Sequence, residues 1–408
     1  MTPRPATTSA VAGMTMVTAG SMTANAVSYL LALVAAAWLG PSGYGEFAAL
    51  TASQLVLAVP ALALQTVVAR EVVLGRDAAT LRRLETRCAV IVAVLAALLV
   101  APIAAILGTG TGATVAALLT APLLVLLAGE QGLLQGTGRF GRLSALLAAA
   151  GLGKVAPAVA VLALGGGPGA ALTASAVGTG AVAAVARVLT GRGTDSDEPR
   201  AAVGVAAVLR ASQVQLALVV LSSVDVLLAR VVLGDEQAGQ YALGAVATKV
   251  AFWLPAAVGV VLYPKMASPD HSGRAVRAAL GVLVGIGAVT VAAAAAVAPL
   301  VPAVLGEDYA PVRGLLWAFA LSGGCLAVLQ GALLSAIARE RTRLALVAWA
   351  GLAVEVALIL TVVSTMQQLI AVAATTAALT AAAAGLLVLR GVAGPSRGFP
   401  DVTSGTPE

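Results

Sequence analysis

Residues Leu39–Ala48 read LGPSGYGEFA, and residues Leu233–Ala242 read LGDEQAGQYA. The second stretch lies 194 positions after the first. Leu39-Gly40 falls on Leu233-Gly234, Gly45 on Gly239, Glu46 on Gln240, Phe47 on Tyr241 and Ala48 on Ala242. Each stretch is a short Gly-bearing break between two long apolar runs, and Gly and Pro end helices. Upstream, Thr18 falls on Ser212, Ser21 on Gln215 and Ser28 on Ser222. A displacement of 200 then lays Leu133-Leu134 on Leu333-Leu334, Arg139 on Arg339 and Ala145-Leu146 on Ala345-Leu346. The same features recur in the same order, so the chain reads as two copies of one unit.

The apolar runs around these breaks set the fold class. Of 408 residues, 60% are hydrophobic and 10% charged, with a mean hydropathy of +1.00. Soluble domains carry about 45–50% apolar and about 25% charged residues. A soluble enzyme, a disordered chain and an outer-membrane barrel are all excluded. A bilayer span needs about 20 mostly apolar residues. Twelve runs qualify: 12–38, 47–69, 88–108, 114–134, 143–164, 170–189, 209–232, 241–263, 279–304, 313–337, 344–363 and 368–389. Of the breaks between them, Ser364–Gln367 is the weakest.

Cytoplasmic loops of membrane proteins are enriched in Lys and Arg. With the N-terminus placed in the cytoplasm, 20 of the 24 basic residues fall in inner segments. Only Arg230 and Arg313 lie outside, and Lys154 and Lys249 lie inside spans. This predicts both termini in the cytoplasm and an even number of spans in a plasma membrane. The first run is read as a retained span rather than a cleaved signal. The predicted fold is therefore an all-α polytopic membrane protein. Its twelve transmembrane helices form two six-helix bundles related by a pseudo-twofold axis along the membrane normal. The predicted layout is a short cytoplasmic N-terminus (1–11), an N-terminal bundle (12–190), a cytoplasmic linker (191–208), a C-terminal bundle (209–389) and a disordered cytoplasmic tail (390–408). Two bundles about such an axis describe a secondary transporter, with its substrate path between the halves.

Polar groups inside a bilayer are expensive, so they are read first as functional. At about 100° per residue, Ser212, Gln215, Ser222, Ser223 and Asp225 share one face of span 7. Thr18, Ser21, Asn25 and Ser28 share a narrower stripe on the equivalent span 1. Both faces either line one central cavity or hydrogen-bond within the bundle. Lys249 and Asp225 fall at similar depth on spans 8 and 7. They form a neutralising pair, or Lys249 is free to meet an anion while Asp225 tunes it. Lys154 is a second cation in mid-span, and Glu355 and Glu130 are acids within spans. Buried lysines point to an anionic substrate, and buried carboxylates such as Asp225 and Glu355 suit a coupling proton or sodium ion. A buried ion pair is the structural alternative for each.

Other chemistry finds no support. Gly151-Leu152-Gly153-Lys154-Val155 lacks the spacing and the Ser or Thr of a phosphate loop. The one histidine, His271, beside Asp270, reads as a solvated loop residue, and the two cysteines, Cys88 and Cys325, cannot hold a metal alone. No catalytic constellation, metal site, cofactor site or nucleic-acid partner is predicted.

Several strings resemble bacterial polysaccharide-biosynthesis oligosaccharide flippases, of the superfamily that also holds multidrug extruders and peptidoglycan-precursor flippases. They are NAVSYLLALVAAAWLGPSGYGEFAAL (Asn25–Leu50), LQTVVAREV (Leu64–Val72), LLQGTGRFGRL (Leu133–Leu143), VDVLLARVVLGDEQAGQYALG (Val224–Gly244) and VLYPKMA (Val261–Ala267). The resemblance implies a MATE-like fold of two bundles and alternating access. It also implies a polyprenyl-diphosphate-linked glycan as substrate, with membrane lipids as partners and polysaccharide polymerase and glycosyltransferases beside them. Basic cavity residues would meet the diphosphate; Lys154, Lys249, Arg210 and Arg230 fit by character. The substrate-site candidates are Asn25, Ser28, Lys154, Gln215, Ser222, Asp225 and Lys249, and the ion-coupling candidates are Asp225 and Glu355. The rival readings are an ion-coupled multidrug or small-molecule exporter, a major-facilitator-type exporter and a membrane glycosyltransferase, for which the short outer loops leave little room.

Overall fold

The computed structural model describes residues 6–191, 204–266, 272–337 and 345–393. These residues are helical almost throughout, with no strand among them. In hydrocarbon every backbone group must be satisfied internally, and a helix does this within one segment. The N-terminal half holds α1 (Ala6–Leu57), α2 (Val59–Val73), α3 (Ala78–Leu107), α4 (Thr111–Gly136), α5 (Phe140–Ala163) and α6 (Pro168–Thr190). The C-terminal half holds α7 (Val205–Leu221), α8 (Val224–Val232), α9 (Asp235–Met266), α10 (Ser272–Val297), α11 (Leu300–Leu305), a 3-10 turn (Glu307–Val312), α12 (Leu316–Ile337), α13 (Ala345–Val362) and α14 (Met366–Ala393).

Nine apolar stretches among the described residues are long enough to cross a bilayer. One of them, Thr15–Val73, makes two passes, because the chain turns at Gly40 with φ +66° and ψ 175°. That conformation is open to glycine, and Pro41 starts the next helix with its φ preset. With α9 and the shorter Leu346–Val362 the passes number twelve, as the hydropathy predicts. The weakest predicted break is real. The backbone N–H and hydroxyl of Ser364 both donate to Gln368 Oε1, at 2.8 and 3.1 Å, and start α14. α14 continues to Ala393, past the predicted end at 389. The rest of the predicted tail, like 192–203 of the predicted linker, lies outside the described residues.

The continuous polar face predicted for span 7 needs correction. The span breaks at Ser222-Ser223, where Ser223 has φ −142° and ψ −13°. Ser222 donates its hydroxyl to Val219 O at 3.0 Å, and such local bonds compete with the helical ladder. The azimuth of Gln215 therefore does not carry through to Asp225.

Packing relies on small residues, as expected where lipid supplies no hydrophobic drive. A Cβ on Gly151 of α5 would lie 2.6 Å from Ala24 Cα of α1, and one on Gly132 of α4 would lie 2.7 Å from Gln65 O of α2. α1 lies between α5 of its own half and α9 of the other.

The duplication is visible in the contacts. Glu46 accepts from Gly110 N–H at 3.2 Å, and its counterpart Gln240 donates to Asp308 O at 2.8 Å. Between the halves, Tyr309 donates to Ala36 O at 3.0 Å, and Arg230, the counterpart of Ala36, donates to Leu107 O at 3.3 Å. The counterparts Gly45 and Gly239 meet on the axis itself. A Cβ on Gly45 would lie 3.0 Å from Gly239 N and 3.3 Å from Asp235 O, and one on Gly239 would run into Pro41 O. All these contacts lie at the end where spans 1 and 7 finish, opposite the N-terminus. A buried cluster around Leu31, Ala35, Tyr44, Phe47, Val226, Tyr241 and Tyr309 seals that end. At the arginine-rich end, α2 and α7 still touch through Val205 and Val208, while Met16, Met22, Thr23 and Asn25 of α1 are exposed.

Candidate functional site

The middle of α1 carries Asn25, Ser28 and Tyr29. Asn25 is exposed, and Ser28, partly exposed, donates its hydroxyl to Ala24 O at 2.8 Å. Tyr29 reaches across the joint between the halves and donates to the backbone carbonyl of Lys249 on α9 at 3.3 Å. On the other flank of α1, α5 brings Lys154, whose carbonyl accepts from Ser175 of α6 at 3.1 Å. Lys154 and Lys249 thus come one from each half, on helices that both pack against α1, and both residues are partly exposed. Among the described residues neither lysine has a carboxylate within ion-pair distance. Two like charges in a low-dielectric setting repel, and an anion between them removes that repulsion.

The alternatives for Lys249 and Asp225 are thereby narrowed. Asp225 opens α8, is buried, and accepts from Tyr241 Oη at 2.7 Å and from Val226 N–H at 2.8 Å. Among the described residues it forms no salt bridge with Lys249. Glu355 of α13 is also buried. The Ser223 hydroxyl, fully buried beside Asp225, has no hydrogen-bond partner among the described residues.

The other candidates stand apart. Ser222 is buried with its hydroxyl spent on Val219 O, while Gln215 is partly exposed. Glu130 belongs to an ionic cluster at the arginine-rich end. Arg82 grips it at 3.1 and 3.2 Å, Arg187 donates to it at 2.9 Å, and Thr190 also donates to it. Glu85 adds a 3.5 Å ion pair with Arg187. For Glu130 the structural reading therefore holds. No group of metal-ligating side chains occurs among the described residues. A groove of about 520 Å3 between α13 and α14, lined by Val354, Leu358 and Leu379, is apolar and lies away from the lysines.

Two tyrosines in the site were legible but missed. Tyr29 falls on the span 1 stripe, about 20° from Thr18 at 100° per residue. Tyr241 stands where the other repeat has Phe47, so the hydroxyl that holds Asp225 is a departure from the repeat.

Two six-span halves about a pseudo-twofold axis, sealed at one end, define a MATE-like fold. No protein-family model and no curated protein matches the chain. Solved structures do. The lipid II flippase MurJ in an inward closed conformation gives a TM-score of 0.67 at 11% identity, over 92% of this chain and 87% of that one. An inward-facing multidrug resistance MATE family transporter of the MOP superfamily gives 0.65 at 14% identity, over 90% and 94%. An outward-facing MATE family transporter of the same superfamily gives 0.50 at 14% identity, over 93% and 95%.

Proposed function

We propose that this chain is a flippase that moves a polyprenyl-diphosphate-linked oligosaccharide across the plasma membrane for cell-surface polysaccharide assembly. One observation carries the reading: two lysines in mid-span, Lys154 on α5 and Lys249 on α9, come from opposite halves, and among the described residues neither has a carboxylate within ion-pair distance. The likeness of fold to a lipid II flippase supports it. In this reading 12–190 and 209–389 are the two moving bundles, joined by 191–208, with both termini and the arginine-rich loops in the cytoplasm. The diphosphate is held by the two lysines, and the sugars lie along Asn25, Ser28 and Gln215 while the lipid tail stays in the bilayer. Rocking of one bundle against the other exposes the site to the second leaflet. Asp225 and Glu355, both buried, take the coupling proton or cation. Lipid-linked glycan and membrane lipids are the direct partners, and glycosyltransferases and a polymerase act before and after.

Replacing Lys154 or Lys249 by Ala is expected to abolish surface glycan at unchanged protein level. Normal export in both variants would overturn the anion role. A deletion strain is expected to accumulate lipid-linked repeat units on the inner leaflet. Unchanged glycan with new sensitivity to cationic drugs would instead support an exporter working through Asp225 and Glu355.

A further inference from the structure

Among the described residues, α3 is the span of the first half that lies most in lipid. Only 17% of its apolar stretch is buried, against 56% for α4, on which it mainly packs. At about 100° per residue, Arg83, Arg87, Val90, Val94 and Leu98 fall on one face of α3, about 80° wide. All five are exposed. At 1.5 Å per residue the two arginines stand about 10 and about 5 Å before Val90 along the helix axis. That is the depth of a headgroup layer beside the hydrocarbon.

Other charged groups nearby are already engaged. Arg82 turns inward to Glu130, Arg76 pairs with Glu71, and Asp77 accepts from Thr80 N–H. Arg83 and Arg87 have no carboxylate within ion-pair distance among the described residues. Their planar forks match phosphate oxygens. The valines and the leucine continue the same face as an apolar strip. The displacement of 194 lays Arg83 on Arg277 and Val90 on Val284, both exposed on α10, whose apolar stretch is only 6% buried. Arg87 falls on Gly281, so the second half repeats the strip with one cation in place of two.

We infer that this face of α3 is a binding site for one anionic phospholipid. Arg83 and Arg87 hold its phosphate, and an acyl chain lies along Val90, Val94 and Leu98. The site does not rest on the flippase reading.

The test counts lipids retained by the full-length protein, by native mass spectrometry, after release from bilayers of equal parts phosphatidylglycerol and phosphatidylcholine. The wild-type protein is expected to retain phosphatidylglycerol in preference. Arg83→Gln/Arg87→Gln is expected to lower that preference about fivefold for each arginine removed, the scale of one basic group at a bilayer surface. Arg83→Lys/Arg87→Lys should restore part of it. Arg139→Gln/Arg142→Gln removes the same charge from exposed positions on another helix and should keep the preference. Equal loss in the two Gln pairs would overturn the site in favour of a bulk charge effect. So would a wild-type protein without preference. A photoreactive residue in place of Val94 is expected to capture phosphatidylglycerol ahead of phosphatidylcholine. Equal capture of both, or displacement of phosphatidylglycerol by a tagged polyprenyl diphosphate, would also overturn the inference.

Discussion

Asp225 and Lys249 show how local bonding decides what a buried charge can do. Both oxygens of Asp225 already have donors, one of them an N–H in the first turn of α8, where the helix dipole favours an anion. Among the described residues no ion pair joins Asp225 to Lys249. The same logic acts on the surface at Asp77, where the pH dependence is simple. Asp77 caps α3 by accepting from Thr80 N–H at 2.7 Å, and that bond holds its carboxyl below the usual range. A depressed folded-state value means that the stabilisation is present above the unfolded-state value and is lost as pH falls through the folded one. Asp77→Ala is expected to cost about 1 kcal/mol of stability at neutral pH. Asp77→Asn keeps the cap but loses the acid-side decline. Thermal unfolding in detergent between acid and neutral pH checks both, and identical profiles for all three proteins would remove the cap from the account.

At the level of elements, Gly153 and Gly178 bring α5 and α6 into backbone contact next to Lys154. A Cβ on Gly178 would collide with Gly153 O and lie 3.1 Å from Pro157 Cγ, whereas one on Gly180 would meet only Leu123, at an ordinary 3.5 Å. Gly178→Ala is expected to lose about 1–3 kcal/mol through overpacking and to weaken pyrophosphate binding by displacing Lys154. Gly180→Ala should change neither, and equal behaviour of the two would contradict the packing. Such contacts explain what could be read in advance. Hydropathy located all twelve spans and even the break at Ser364, because burial in lipid acts on every residue of a run. It could not place the break at Ser222-Ser223, because serine is tolerated inside spans and only the local hydrogen bonds decide whether the ladder stops. Nor could it tell Glu130 from Glu355. Both are single acids in apolar runs, and the partners of Glu130, Arg82 and Arg187, come from other helices.

For the whole molecule, the repeat spacing carried more than composition did. The pairing of Gly45 with Gly239 was present in the sequence, and in the fold those two glycines lie against each other on the axis. The neighbours there are backbone atoms, which cannot move aside as a side chain can. A methyl group on Gly239 would meet Pro41 O and lie 2.9 Å from Pro41 Cα, so it can fit only if the two halves separate at this end. The strain, about 1–3 kcal/mol, acts on the closed form and not on the open one. A bias of that size changes the ratio of the two forms about 5- to 150-fold, since about 1.4 kcal/mol is a factor of ten. Gly239→Ala is therefore expected to lengthen the distance between spin labels at Thr111 and Thr365, one in each half, in the empty protein and to shorten a distance measured between Arg139 and Arg210 at the arginine-rich end. Gly234→Ala is the control, because a Cβ there meets nothing within 4 Å. If the two halves rock as rigid bodies, the two distances change in opposite directions and by related amounts. If only the first lengthens, the closed end frays locally, and alternating access in this chain must then rest on bending within the bundles rather than on rotation between them.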